Sequence, residues 1–231
     1  LGVGGDDTVL RSGGNDTIDG GAGSDTWRFA LDNSSGNPPI DVDLASGIVR
    51  VSTTTSMLAS IENVVIEDSR TAYLFGSALA DRLIASASRD LLDGRGGDDL
   101  LDGGAGDDIL VGGPGADRLY GGDGTDTLIA ADIAAPGVSN HYEGGAGDAD
   151  TLVYAANIRD FITREYIDTQ FRNKALAQQA SGPLRIHAGT GVIERLSDDG
   201  ATVVASDLAI GIERFVGSDA DDLLYGAPGE S

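Results

Sequence analysis

Residues 103–129 read GGAGDDILV-GGPGADRLY-GGDGTDTLI, three nonads in direct succession. Each carries its glycines first, an aspartate at the sixth place and a large apolar residue at the eighth. That order outlines a mechanism. Glycines permit a tight loop with exposed backbone carbonyls, and the aspartate adds a carboxylate. The apolar residue then begins a short strand. A loop of oxygens closed by a carboxylate suits a hard cation, and a fixed period stacks such loops.

Worked outward, the period G-G-x-G-x-D-x-U-x recurs in eleven nonads. Three tile 2–28, with Asp7, Asp16 and Asp25 at the sixth place and Val9, Ile18 and Trp27 at the eighth. Six tile 76–129 without a gap, bringing Asp81, Asp90, Asp99, Asp108, Asp117 and Asp126. Their eighth places are all leucine, from Leu83 to Leu128. A tenth, at 144–153, has one inserted residue and ends on Asp150 and Leu152, and an eleventh at 217–225 has Asp222 and Leu224. Leu79 stands where a glycine is expected, and the nonad at 85–93 has no glycine, so the first coil of the six keeps its strands while its loop carbonyls come into question. A dinucleotide-binding loop needs one glycine turn between a strand and a helix. Loops recurring every nine residues leave no room for that helix. Turn-capping aspartates alone would explain the glycines. They would not explain a constant carboxylate in a chain with few cations, because stacked like charges repel unless a cation lies between them.

These nonads resemble the repeats-in-toxin (RTX) family, whose motif is associated with a calcium-binding parallel β-helix. The resemblance implies an all-β fold of parallel β-roll blocks, a β-helix-like solenoid with two nonads per coil. Loops on one edge are then 18 residues apart. The carboxylate pairs it implies are Asp7 with Asp25, Asp90 with Asp108, Asp99 with Asp117 and Asp108 with Asp126, with Asp16 a further ligand. Asp81 with Asp99, Asp150 and Asp222 stand in nonads that depart from the pattern. Carbonyl ligands would come from Gly94, Gly97, Gly103, Gly104, Gly106, Gly112, Gly113, Gly115, Gly121, Gly122 and Gly124. Six to eight oxygens suit Ca2+, whereas magnesium wants a strict octahedron and zinc wants His or Cys. The family resemblance further implies a secreted, extracellular bacterial protein, the type I secretion machinery as a partner, and folding on exit.

Composition agrees with this. The chain has 231 residues, 38 acidic against 15 basic, a net charge of −23 and no cysteine. Such a charge disfavours nucleic acid and anionic membranes. Without cysteine there is neither a disulfide frame nor a thiolate metal site. No apolar run is long enough for a transmembrane helix, and no signal-peptide pattern opens the chain. Because it starts and stops inside repeats, it reads as part of a longer polypeptide.

The blocks expected are a truncated roll (1–28), a β-rich spacer (29–75), the central roll (76–129), a loop with a degenerate nonad (130–153), a second spacer (154–216) and the start of a further roll (217–231). IDVDL and GIVRVS alternate as half-buried strands do. LASIENVVIED and LAIGIERFV share an Ile-Glu strand before a Gly-Ser nonad. One short helix is possible at 168–180, where Phe171, Ala175 and Leu176 have helical spacing. The second spacer holds Arg159, Arg164, Arg172, Lys174, Arg185, Arg195 and Arg214, as a cap that offsets the acidic rolls or as a docking element. The outward face carrying Leu91, Ile109, Val111 and Ile129 should pack on a non-repeat segment. His141 and His187 have no catalytic context, and no serine has a nucleophile motif. The function expected is a calcium-binding scaffold that folds after export. The alternatives are an adhesive module that meets a cell-surface or glycan partner through 154–216, or an accessory to a catalytic domain outside this chain.

Overall fold

In a computed structural model, the described residues are 4–10, 14–30, 38–130, 137–147, 149–154, 183–187, 190–197, 200–216 and 223–225. All regular structure among them is β-strand, in two sheets. The first sheet runs β1 (Thr8–Leu10), β3 (Thr26–Phe29), β7 (Asn63–Ile66), β9 (Arg82–Ile84), β11 (Leu100–Ala105), β13 (Arg118–Asp123), β15 (His141–Ala146), β19 (Val203–Ile210), β18 (Val192–Leu196), β17 (Leu184–His187) and β21 (Leu223–Tyr225). The second runs β2 (Thr17–Asp19), β6 (Thr54–Ala59), β5 (Ile48–Val51), β4 (Ile40–Asp43), β8 (Ala72–Phe75), β10 (Leu91–Asp93), β12 (Ile109–Val111), β14 (Thr127–Ile129), β16 (Thr151–Val153) and β20 (Arg214–Val216).

The nine-residue period sends successive strands to opposite sheets, so each strand pairs in parallel with the one 18 residues on. Leu92 is in register with Leu110, Leu110 with Leu128, and Leu101 with Leu119. This is the all-β parallel roll expected from the nonads. Eighth-place side chains point between the sheets. The row Leu83, Leu92, Leu101, Leu110, Leu119, Leu128 and Leu152 is fully buried, and Trp27, Leu58, Val64, Leu74 and Tyr142 extend it beyond the leucines. A strand of three residues gives one such side chain per turn. The roll therefore has a core one side chain thick, and its edges have to be held by other means. On the outer side of the second sheet Leu91, Val111 and Ile129 are buried and Ile109 is half-buried.

Both sheets run on past the ends of the central nonads. β7 lies between β3 and β9, and β8 lies between β4 and β10. Two antiparallel meanders interrupt the coils, β4–β5–β6 in the second sheet and β17–β18–β19 in the first. They are wired alike. The last strand of each pairs in parallel with the preceding coil, β6 on β2 and β19 on β15. The first strand pairs in parallel with the following coil, β4 with β8 and β17 with β21. The helix expected at 168–180 and Asp222 lie outside the described residues.

Candidate metal centre

The loops stack along the two edges of the roll, and their sixth-place residues form two ladders. Along the second sheet Ala72, Asp90, Asp108, Asp126, Asp150 and Glu213 follow one another. Each backbone N–H donates to the side-chain carboxylate one coil ahead: Ala72 to Asp90 at 2.6 Å, Asp90 to Asp108 at 2.7 Å, Asp108 to Asp126 at 2.9 Å, Asp126 to Asp150 at 2.8 Å and Asp150 to Glu213 at 2.8 Å. Along the first sheet Asp7 donates to Asp25, Asp25 to Glu62, Asp81 to Asp99, Asp99 to Asp117, Asp117 to Asn140 and Asn140 to Asp207. Every 18-residue pair read from the sequence is thus brought together on adjacent coils. Asp16 is not: its N–H meets the Ser56 hydroxyl at 3.1 Å, and no carboxylate stands at that place in the coil ahead.

One oxygen of each carboxylate is therefore committed to the backbone. The second is sealed from water with no donor at Asp25, Asp90, Asp99, Asp108, Asp126 and Asp150, where it is Oδ2. At Asp81 the unpartnered oxygen is Oδ1, because Oδ2 accepts from Ser77 N–H at 2.5 Å. A buried carboxylate oxygen with no donor is costly, and one such atom per coil is a pattern rather than an accident of packing. Burial pushes Asp90 up to about 7, Asp99 and Asp108 to about 8 and Asp126 to about 6. Neighbouring carboxylates add to the rise at Asp99, Asp108 and Asp126, while the backbone N–H bonds oppose it.

The orphaned oxygens do not stand alone. A side chain placed on Gly103 would begin 2.5 Å from Asp108 Oδ2 and 2.7 Å from the carbonyl oxygen of Gly121. The same two oxygen types converge at Gly94 (Asp99 Oδ2, Gly112 O) and at Gly121 (Asp126 Oδ2, Gly144 O), whereas at Gly76 the oxygen beside Gly94 O is Asp81 Oδ2, which already accepts Ser77 N–H. Farther out on the loops, Gly97 O, Gly104 O and Gly106 O face Gly115, Gly122 and Gly124, and Arg95 O faces Gly113. Among the described residues no three His, Cys, Asp or Glu side chains gather at one point. The carboxylates come in twos, and the remaining oxygens are carbonyls. An oxygen-only set with two negative charges fits Ca2+ and offers zinc nothing it prefers.

Gly103 probes the shared space because its backbone is not left-handed; the added methyl also meets the Gly121 carbonyl at 2.7 Å, so circular dichroism at saturating calcium has to show the variant folded. Gly103→Ala is expected to weaken calcium binding at Asp108 by at least about tenfold, since the new methyl enters the space the oxygens share. Gly96→Ala, where the nearest atom is Pro114 O at 3.8 Å, should bind as the parent does. Calorimetric titration decides it, and equal affinities in the two variants would remove Gly103 from the site.

The first-sheet ladder ends differently. Asp207 receives Asn140 N–H and the Tyr154 hydroxyl, the latter at 2.7 Å, and the Arg195 guanidinium lies 3.2 Å from its Oδ2. Arg195 is buried and also donates to Val138 O. At this rung a protein cation stands beside the carboxylate, and amide Asn140 replaces the carboxylate before it. Arg95 does something similar beside the first coil of the six. Its guanidinium donates to Gly76 O at 2.7 Å and pairs with Asp43 through both nitrogens at 2.9 Å.

Glu62, Asn140, Asp207 and Glu213 escaped the sequence reading because none follows a glycine loop. The remaining signal is the half-motif polar-x-apolar: Glu62 before Val64, Asn140 before Tyr142, Asp207 before Ala209 and Glu213 before Phe215. His141, next to the rung Asn140, lies 3.7 Å from Glu143, and His187 stacks on Tyr225 at 5.1 Å; the side chain of neither is a rung of the ladders.

The RTX calcium-binding nonapeptide repeat matches the chain in four copies, at residues 1–26, 75–110, 102–132 and 209–230. No curated protein matches it. The matched spans carry most of the loops whose carboxylates line the two edges, so the chain carries RTX calcium-binding nonapeptide repeats in four copies.

Proposed function

We propose that this chain is a calcium-dependent folding module of a secreted bacterial protein, with ions held between the sixth-place carboxylates of successive coils. Asp7 with Asp25, Asp90 with Asp108, Asp99 with Asp117, Asp108 with Asp126 and Asp126 with Asp150 would hold them, joined by the carbonyls of Gly112, Gly121 and Gly144. The observation that carries this is the repeated buried carboxylate oxygen with no donor, on both edges. A bound cation supplies the missing partner and the missing charge. Without it the carboxylates of adjacent rungs repel, and a core one leucine thick does not offset the entropy of ordering the loops.

The role follows from where calcium is available. Extracellular calcium modules work at dissociation constants of about 10⁻⁴ to 10⁻³ M, so such sites are nearly empty in a cytosol and filled outside a cell. A chain of this kind stays extended during export through a type I channel and closes on exit. Its task is then structural: a scaffold that folds in the right place, with any catalysis belonging to other segments of the parent protein.

The test is far-ultraviolet circular dichroism of the chain during a calcium titration at pH 8, with magnesium as control. A β-sheet spectrum is expected to appear cooperatively with calcium, to fail with magnesium at the same concentration, and to vanish on chelation. A β-sheet spectrum that chelator leaves unchanged would overturn the proposal.

A further inference from the structure

The turns Ser60-Ile61-Glu62 and Gly211-Ile212-Glu213 follow the two meanders, have no glycine loop, and nevertheless occupy rungs of the ladders. Their backbones dock as nonads do. Glu62 and Asn63 both donate to Asp25 O, and Glu213 and Arg214 both donate to Asp150 O. Their carboxylates take the place of the sixth-place aspartate, accepting Asp25 N–H at 2.9 Å and Asp150 N–H at 2.8 Å. The first residue of each turn is left-handed, Ser60 at φ 52° and Gly211 at φ 63°. That bend aims Ser60 O and Gly211 O at Gly20 and Gly144, where Asp25 Oδ2 and Asp150 Oδ2 also converge, each 2.6 Å from a side chain's starting point. The same pair of oxygens meets at Gly103 in the central roll.

Asp25 and Asp150 are fully buried, and the Oδ2 atom of each has no donor. These two atoms point to a ligand independently of the acidic cluster around them. In a nonad the carboxylate stands five positions after the first glycine, whereas here it stands two after the first residue of the turn. The additional methylene of glutamate makes up the reach that the shortened loop loses. Beside Glu62 lies a cavity of about 300 Å³, also lined by Ser60, Ser77 and Asp81, with room for water to replace the missing loop carbonyls.

We propose that Asp25 with Glu62 and Asp150 with Glu213 form two further divalent-cation sites, each half nonad and half Ile-Glu turn. They join each meander to the roll, so the ion ladder crosses from repeat to non-repeat sequence. With fewer backbone carbonyls than the nonad pairs, they fill after them. This rests on the calcium reading above, and the experiment separates the two.

Glu62→Gln and Glu213→Gln keep an oxygen that can accept the Asp25 or Asp150 N–H but remove the charge. Calcium stoichiometry of the full chain would be counted by isothermal titration calorimetry, with circular dichroism at saturating calcium to establish that each variant is folded. Each substitution is expected to remove one bound ion, the double variant two, with the β-sheet spectrum kept. A second measurement uses Trp27, the chain's single tryptophan, two residues from Asp25. Terbium emission sensitised by Trp27 should fall in Glu62→Gln and stay unchanged in Glu213→Gln. An unchanged ion count and unchanged terbium emission overturn the hybrid sites while leaving the nonad sites standing. A parent chain that binds no calcium overturns both.

Discussion

Asp108→Asn is expected to raise the calcium concentration needed for folding far more than Asp81→Asn. Asp108 belongs to two rungs: its carboxylate accepts Asp90 N–H at 2.7 Å, and its own N–H reaches Asp126 at 2.9 Å. Its free oxygen meets Gly121 O at the Gly103 cradle. Asparagine keeps an acceptor for Asp90, so the backbone ladder survives while the charge facing two ions is lost. At tenfold excess of calcium over its dissociation constant each site contributes about 1.4 kcal/mol. Two weakened sites therefore remove up to about 3 kcal/mol, a large part of the stability of a small domain. Asp81 is placed less well for an ion. One of its oxygens already takes Ser77 N–H, and its own loop lacks the glycine that Leu79 replaces. The Arg95 guanidinium also sits on the neighbouring Gly76 carbonyl. Folding midpoints from calcium titrations of both variants decide the ranking, and equal midpoints would refute it.

The difference between these two aspartates was partly legible in the sequence. Leu79 and the glycine-free nonad at 85–93 marked the first coil as defective. The Arg95–Asp43 pair was not legible, because the two residues are 52 positions apart and meet only when β4 docks on β8. The same physics explains what was read and what was missed elsewhere. Where a local period fixes both the loop and the inward residue, as from Gly94 to Ile129, the register follows from counting. The rungs Glu62, Asn140, Asp207 and Glu213 are set by docking instead: a neighbouring coil offers a carbonyl and an N–H, and whatever polar side chain precedes an inward apolar residue fills the place. The shared Ile-Glu strand after each spacer was visible as a similarity. Its purpose was not, since the sequence does not reveal that Asp25 and Asp150 each wait one coil away. Arg195 looked like one cation among several in a basic spacer, and its burial against Asp207 depends on β18 pairing with β19. The meanders were readable as alternating strands, but their choice of sheet is a tertiary outcome of β2 and β15 offering open edges.

Freed of calcium, the roll should become more stable as the solution is acidified from about pH 8 to about pH 5, the reverse of ordinary acid denaturation. Burial raises Asp99 and Asp108 to about 8, Asp90 to about 7 and Asp126 to about 6. In the unfolded chain an aspartate titrates near about 3.9. Between these values the folded chain holds protons that the unfolded chain has released, so stability increases as pH falls. The gain begins as pH drops through about 8, where Asp99 and Asp108 take up protons, and is complete once it passes below the unfolded value. Above that window all four carboxylates are charged, buried and unpaired, which is the state that calcium relieves. With calcium present the sign turns over, because protons compete with the ion for the same oxygens and binding must release them. Far-ultraviolet circular dichroism of the chelated chain, which should gain β-sheet signal as pH falls from 8, and urea unfolding at saturating calcium over the same range should therefore show opposite trends. Asp108→Asn, which deletes one of the raised groups, should flatten the calcium-free curve. A calcium-free chain that is less stable at pH 5 than at pH 8 would mean that these carboxylates are not buried as the ladders require.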